Sequence, residues 1–264
     1  MSLITQVTTK PDSQLEEGNY PPIRINLQGI DGIGKSTFGA DSDTPIFIQA
    51  EDGLNYIDQV SRFPVANTWE EIKEQIKALM TEDHQFKTVV LDTTDAASKL
   101  AEEFVVKENG WKSPGDPKAS YGAFYVAEEN AWRHLLQGLN WLHDNKGMNV
   151  ILLSHVGDKI VNDPTVGEYR AFQMRSNKKV NALIKDWVDF NLFADYDKTL
   201  NADGTAKSSG NRFLYTRYGM GFEAKSRLDI PTQLPLSWDE FIKAYRAAYK
   251  KALSSASSTK TEAA

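Results

Sequence analysis

Short apolar runs alternate with longer amphipathic stretches along this chain. Ile23-Arg24-Ile25-Asn26-Leu27-Gln28, Ile46-Phe47-Ile48, Thr88-Val89-Val90-Leu91 and Asn149 to Ser154 are too brief for helices and read as strands. The β-branched run at Thr88 suits a parallel sheet buried on both faces. Thr68-Trp69-Glu70-Glu71 is a capping box that opens a helix to about Thr81, and another helix is expected from about Asp95 to Glu108. A Gly/Pro-rich loop follows from Gly110 to Ser120. Tyr121 to about Asn145 then predicts one long amphipathic helix, stopped by Gly147. Alternation of this kind predicts an α/β fold with a mostly parallel central sheet and helices on both faces.

The pattern changes beyond Ser154. Val156 to Ser176 is polar and charged, with Gly157, Pro164 and Gly167, and predicts a long loop. A helix from about Asn177 to Lys185 and a strand from Trp187 to Tyr196 come next. Asn201-Ala202-Asp203-Gly204 supplies a turn, and Arg212 to Arg217 returns as the second arm of a C-terminal β-hairpin extension. Ser237 opens a last helix through about Leu253. Residues 1–20 are aperiodic and closed by Pro21-Pro22, which predicts a flexible N-terminal arm; the Ser/Thr/Ala/Lys run 254–264 predicts a disordered tail. One domain, residues 21–253, remains between them.

Composition narrows the function classes. The chain has 264 residues, 41% hydrophobic and 25% charged, enough for a full core. It has no cysteine, so disulfides and thiolate metal sites are excluded. No apolar run approaches bilayer length, and Met1-Ser2-Leu3-Ile4-Thr5-Gln6 lacks the basic start of a signal peptide. No membrane partner is expected, and a cytoplasmic location is. With a net charge of −6, any nucleic-acid binding must come from a local basic surface.

The chemistry centres on Gly29-Ile30-Asp31-Gly32-Ile33-Gly34-Lys35-Ser36, with Thr37 behind it. This is G-x-x-x-x-G-K-[ST] between a strand and a helix start, the P-loop pattern in its required context. Glycines let consecutive backbone N–H groups turn inward around an anion, and the helix start adds its positive end. Lys35 is placed for the β- and γ-phosphates of ATP and Ser36 for Mg²⁺. Asp92, at the tip of the strand from Thr88, is the expected second magnesium ligand. Asp95 is the reserve for that task, or a helix cap.

Further motifs carry a family resemblance. Ile46 to Glu51 resembles the second strand of the RecA family, which ends in an acidic residue that orients and deprotonates the attacking water; the resemblance gives that role to Glu51. His155, after the strand Val150 to Ser154, matches the γ-phosphate-sensing position of the RecA and DnaB group. Glu223-Ala224-Lys225-Ser226-Arg227-Leu228 resembles the Lys-x-Arg finger of RadA and DnaB proteins, although Ser226 and Leu228 depart from the family letters. There the basic pair reaches a neighbouring subunit's γ-phosphate.

Together these segments resemble the compact RecA-like ATPases of phages, a group that includes ATP-dependent single-strand annealing proteins and recombinases. The resemblance implies a homo-oligomer, ring or filament, with nucleotide between subunits, and action on single-stranded DNA beside a single-strand binding protein. The loops after the third and fourth strands supply basic and aromatic residues suited to a single strand: Lys112, Lys159, Arg170, Arg175, Lys178 and Lys179, with Trp111 and Phe172. A helicase, a packaging motor or a small-molecule kinase would use the same P-loop.

Overall fold

In the computed structural model, which describes residues 20–57, 60–201 and 203–261, successive side chains of the central strands turn to opposite faces of one sheet, and helices cover both. In chain order the elements are β1 (Arg24–Gly29), α1 (Lys35–Ala40), β2 (Pro45–Gln49), β3 (Ser61–Arg62), α2 (Trp69–Thr81), β4 (Thr88–Asp92), α3 (Thr94–Glu108) and α4 (Ala123–Lys146). The second half comprises β5 (Asn149–Asp163), β6 (Gly167–Met174), α5 (Lys178–Trp187), β7 (Phe190–Tyr196), β8 (Thr199–Leu200), β9 (Ala206–Lys207), β10 (Arg212–Tyr215), β11 (Lys225–Ser226), β12 (Gln233–Pro235) and α6 (Trp238–Thr261).

The strand order is β12-β10-β7-β1-β5-β4-β2-β3. β1 lies between β5 and β7, parallel to both, and β4, β2 and β3 continue the parallel run. β10 returns antiparallel to β7, with Leu214 opposite Ala194, and β12 and β11 add antiparallel rungs. The expected α/β class and its C-terminal strand pair are both present.

Alternation sorts the core. Ile46, Ile48, Val89, Leu91, Val150 and Leu152 face α2 to α5, where Trp69 and Trp132 meet edge-on at 5.4 Å. Phe47, Val90, Ile151 and Leu153 face α1 and α6, against Phe38, Trp238 and Phe241. Truncating a fully buried tryptophan such as Trp132 costs about 3–5 kcal/mol.

β1 departs from this rule. Its inner polar residues Asn26 and Gln28 are buried and paired rather than solvated. Ser154 donates its one hydroxyl proton to Asn26 Oδ1 at 2.6 Å, so Thr94 is the donor in its 2.7 Å bond to Ser154. Asn26 in turn donates to Asn191 at 2.7 Å, and Gln28 to the Glu223 carbonyl at 2.6 Å. This polar row joins α3, β5, β1 and β7 directly beneath the glycine-rich loop. Left unpaired, each such group would cost about 1–3 kcal/mol.

Several expectations are corrected. Val156 to Ser176 is not a loop: β5 runs on to Asp163 and pairs with β6 as a hairpin, Val156 opposite Met174 and Asp163 opposite Gly167. Asp163 Oδ1 accepts from the backbone N–H groups of Thr165 and Val166, and Gly167 takes φ 84°, which closes the turn. Two-stranded pairing satisfies the backbone without much apolar burial, which is why polar composition misled. Trp187 ends α5 rather than starting β7, and α4 begins at Ala123. Gly147 does stop α4, at φ 65°. α6 continues past Leu253 to Thr261, since no Gly or Pro interrupts it.

The expected N-terminal arm lies outside the described residues except for Tyr20, whose ring packs on Tyr245 and Tyr249 of α6. No helix among the described residues is long and apolar enough to cross a membrane.

Candidate nucleotide-binding site

β1 delivers the chain to the loop at Gly29, where a Cβ would lie 2.7 Å from the Ala194 carbonyl of β7, so only glycine fits. Gly34 has φ 110° and immediately precedes Lys35, the first residue of α1. Such left-handed glycines turn backbone N–H groups to one side as an anion nest. Lys35 is buried and donates to the Gly29 carbonyl at 3.1 Å and the Ile30 carbonyl at 2.9 Å. Burial pushes its pKa down while Asp31 and Asp92 oppose the shift, so an added anion would favour the charged ammonium. Ile33 anchors the loop in the core; Asp31, Gly32 and Thr37 are exposed.

Ser36 Oγ donates to Asp92 Oδ2 at 2.7 Å, joining α1 to the tip of β4. Burial raises the Asp92 pKa, and the Ser36 hydrogen bond only partly offsets it. A buried carboxylate held against a serine hydroxyl fits a magnesium ion, which takes few protein oxygens and completes its shell with water and phosphate. No cluster of three or more His, Cys, Asp or Glu residues suited to a metal occurs among the described residues.

Around this pair stand further charges. Glu51 follows β2, and its Oε1 accepts from Thr93 Oγ1 at 2.9 Å, beside Asp92. His155, which follows Ser154 within β5, gives its backbone N–H to Asp95 Oδ1 and sets Nδ1 3.1 Å from Asp95 Oδ2. Its Nε2 is 3.1 Å from Asp31 Oδ1, and Nδ1 is 4.0 Å from Glu51 Oε1. Burial alone would raise Asp95, but the His155 side-chain and backbone hydrogen bonds outweigh it and hold the carboxyl at about 2. Asp95 is not the helix cap: Thr93 caps α3, and Asp95 meets both the backbone N–H and Nδ1 of His155.

A family model described as an AAA domain matches residues 21–228, from the segment before β1 to just past β11. The chain belongs to the AAA domain family. Domains of this family carry a nucleotide-binding P-loop, and Gly29 to Ser36 has the sequence of such a loop. It is also similar to the SPbeta prophage-derived uncharacterized protein YorG of Bacillus subtilis (strain 168), 23% identical over 138 residues. That match takes in 51% of this chain and 41% of the relative, so it spans less than half of the relative's length. Among solved structures, the crystal structure of the RadB recombinase aligns at 15% identity over 80% of this chain and 88% of that one, with a TM-score of 0.41.

In this AAA domain the P-loop, Asp92, Glu51 and His155 lie together. Lys225 and Arg227 do not join them. Lys225 pairs across β11 with Asn191, at the level of Asn26, and its Nζ donates to the Lys185 carbonyl. Arg227 lies beyond, with Nε 3.3 Å from Asp189 Oδ1, at the end of the sheet where β1 begins. At about 3.3 Å per residue, that is roughly 17 Å along β1 from Gly29.

The basic residues expected on DNA loops separate similarly. Lys159 donates to the Met174 carbonyl, Arg170 pairs with Asp158 at 2.6 Å, and Lys179 lies 3.7 Å from Glu129. Lys178 opens α5, and Lys112 sits on another loop whose N–H is held by Asp116. Arg175, at the base of the hairpin, pairs instead with Asp31 of the P-loop at 2.9 Å.

Sequence reasoning missed Arg212 altogether. Its Nη1 donates to the Ile33 carbonyl at 3.2 Å and would stand 2.7 Å from a Cβ at Gly34, on the flank of the loop. No local pattern marks it, because β10 reaches the loop only through its pairing with β7.

Proposed function

We propose that this AAA domain protein is a RecA-like ATPase that hydrolyses ATP with Mg²⁺ and acts on single-stranded DNA in phage-type recombination, by annealing or strand exchange. The observation that carries the reading is the junction of Ser36 with Asp92, 2.7 Å apart, with Glu51 held beside it by Thr93 and Lys35 at the loop. Ser36 and Asp92 would hold the magnesium ion, which would supply positive charge to the phosphates. Lys35 exchanges the Gly29 and Ile30 carbonyls for the phosphates. Glu51 orients the attacking water and takes its proton, and His155 donates to a γ-phosphate oxygen.

The β5–β6 hairpin supports a single-strand partner. Its exposed residues include Ile160, Val166 and Arg170, and Tyr169 meets Tyr218 at 2.9 Å between hydroxyls. Such rings stack on bases while Lys159, Arg170 and Lys178 follow phosphates, with Lys112 and Lys179 as outlying contacts. A single-strand binding protein is the proposed accessory partner. The active form in this reading is a ring or filament in which Lys225 and Arg227, distant from their own subunit's loop, serve a neighbour's. Residues 21–253 are the ATPase domain in this reading.

The test is ATP turnover with and without single-stranded DNA. Stimulated release of ADP and phosphate is expected, and Lys35→Ala should abolish it with the circular dichroism spectrum unchanged. Near-normal turnover in Lys35→Ala refutes the P-loop assignment, and a phosphorylated small molecule formed without DNA refutes the recombination role.

A further inference from the structure

The glycine-rich loop carries a carboxylate of its own. Asp31 stands at its third position, with a side chain 64% exposed. A negative charge there repels a triphosphate entering the loop. The Arg175 cation offsets it, with Nη2 2.9 Å from one oxygen, and His155 Nε2 stands 3.1 Å from the other. The Arg175 hydrogen bond is the main reason the Asp31 pKa is lowered.

Arg175 is built to reach this point. It directly follows β6, its backbone N–H donates to the His155 carbonyl at 3.0 Å, and its Nε donates to the Val156 carbonyl at 3.2 Å. The root of the side chain is thus tied to the base of the hairpin, and only the outer guanidinium nitrogens meet the loop. Its charge also acts on Lys35, placing it within electrostatic reach of the phosphate-binding ammonium.

We infer that Arg175 binds the γ-phosphate of ATP within its own subunit, with Asp31 holding the guanidinium at the loop until the triphosphate's terminal oxygens replace that carboxylate. The inference rests on the ATPase reading above. A planar guanidinium suits this exchange, because the fork that grips a carboxylate grips phosphoryl oxygens with the same geometry. The base of the hairpin then moves with the nucleotide, so a strand lying on β5 and β6 and a phosphate in the loop share one side chain. Arg212 does not duplicate this role, since it holds the loop's other flank through Ile33.

The test measures affinity for fluorescent ATP and ADP analogues, with turnover, in the wild-type chain and in Arg175→Ala, Arg175→Lys and Asp31→Asn. Arg175→Ala should weaken ATP about tenfold, leave ADP unchanged and cut turnover about a thousandfold. Arg175→Lys keeps the charge and should fall between, so a folding defect in the alanine variant does not hide the effect. Asp31→Asn should tighten ATP severalfold more than ADP. Mixing Arg175→Ala with Lys35→Ala protein should restore nothing, because both groups serve one subunit's site. Equal loss of ATP and ADP affinity, or restored activity on mixing, overturns the inference. If the wild-type chain turns over no ATP, the ATPase reading fails, and the ATP-to-ADP comparison still judges Arg175.

Discussion

Glu128 of α4 gives a sharp test of how this fold handles a buried charge. Its side chain is fully buried; Asn177 donates to Oε2, and Oε1 is buried with no hydrogen-bond partner. The same Asn177 caps α5 by accepting from Lys179 and Val180, so the carboxyl sits where α4 meets the base of the hairpin. Burial, and then the charge of Glu102, push the carboxyl up from 4.5 to about 7. Between these values the folded chain keeps a proton that the unfolded chain releases. This contribution to stability is therefore full below about pH 4.5, falls as pH rises, and is lost above about 7. At about 1.4 kcal/mol per pH unit the span amounts to about 3 kcal/mol, and water entry reduces it to about 2 kcal/mol.

Glu128→Gln keeps the shape and removes the charge. Thermal unfolding from pH 5 to pH 8 should show the variant level with wild type at pH 5. At pH 8 it should be more stable by about 4–8 °C, at roughly 2–4 °C per kcal/mol for a domain of this size. A difference that does not grow with pH, or a variant less stable at pH 8, would refute the reasoning.

The site yields further expectations. Glu51→Gln should bind ATP normally while turnover falls about a hundredfold or more in a phosphate-release assay; normal turnover would move the base elsewhere. Arg212→Ala should raise the Kd for ATP and ADP alike by about tenfold in fluorescence titrations, because it braces the loop rather than the γ-phosphate; an unchanged Kd leaves it a strand-edge residue. Arg227→Ala should bind ATP and lose hydrolysis, and mixing with Lys35→Ala should restore part of it. Strictly monomeric light scattering with ATP and single-stranded DNA would sink that neighbour contact.

The sequence by itself determined the layers and the heart of the site. Alternating apolar residues such as Val89, Val90 and Leu91 can satisfy two helical layers in only one way, and Gly29 to Ser36 encodes its own backbone path. The places of Asp92 and Glu51 were legible because one ends β4 and the other closely follows β2, neighbouring strands that parallel pairing sets side by side. What lies sideways was not legible. Nothing in the sequence names the partners of Asn26, and only β5 and β7 on either side supply the Ser154 and Asn191 contacts that make its burial tolerable. The hairpin looked like a loop because pairing between β5 and β6 rests on backbone hydrogen bonds, which polar sequences form as well as apolar ones. Arg175, Arg212 and Arg227 carry the same charge and differ only in destination: one reaches Asp31, one Ile33, and one Asp189 at the far end of the sheet. A cation's role depends on the anion it meets, and strand register, a long-range property, decides that meeting.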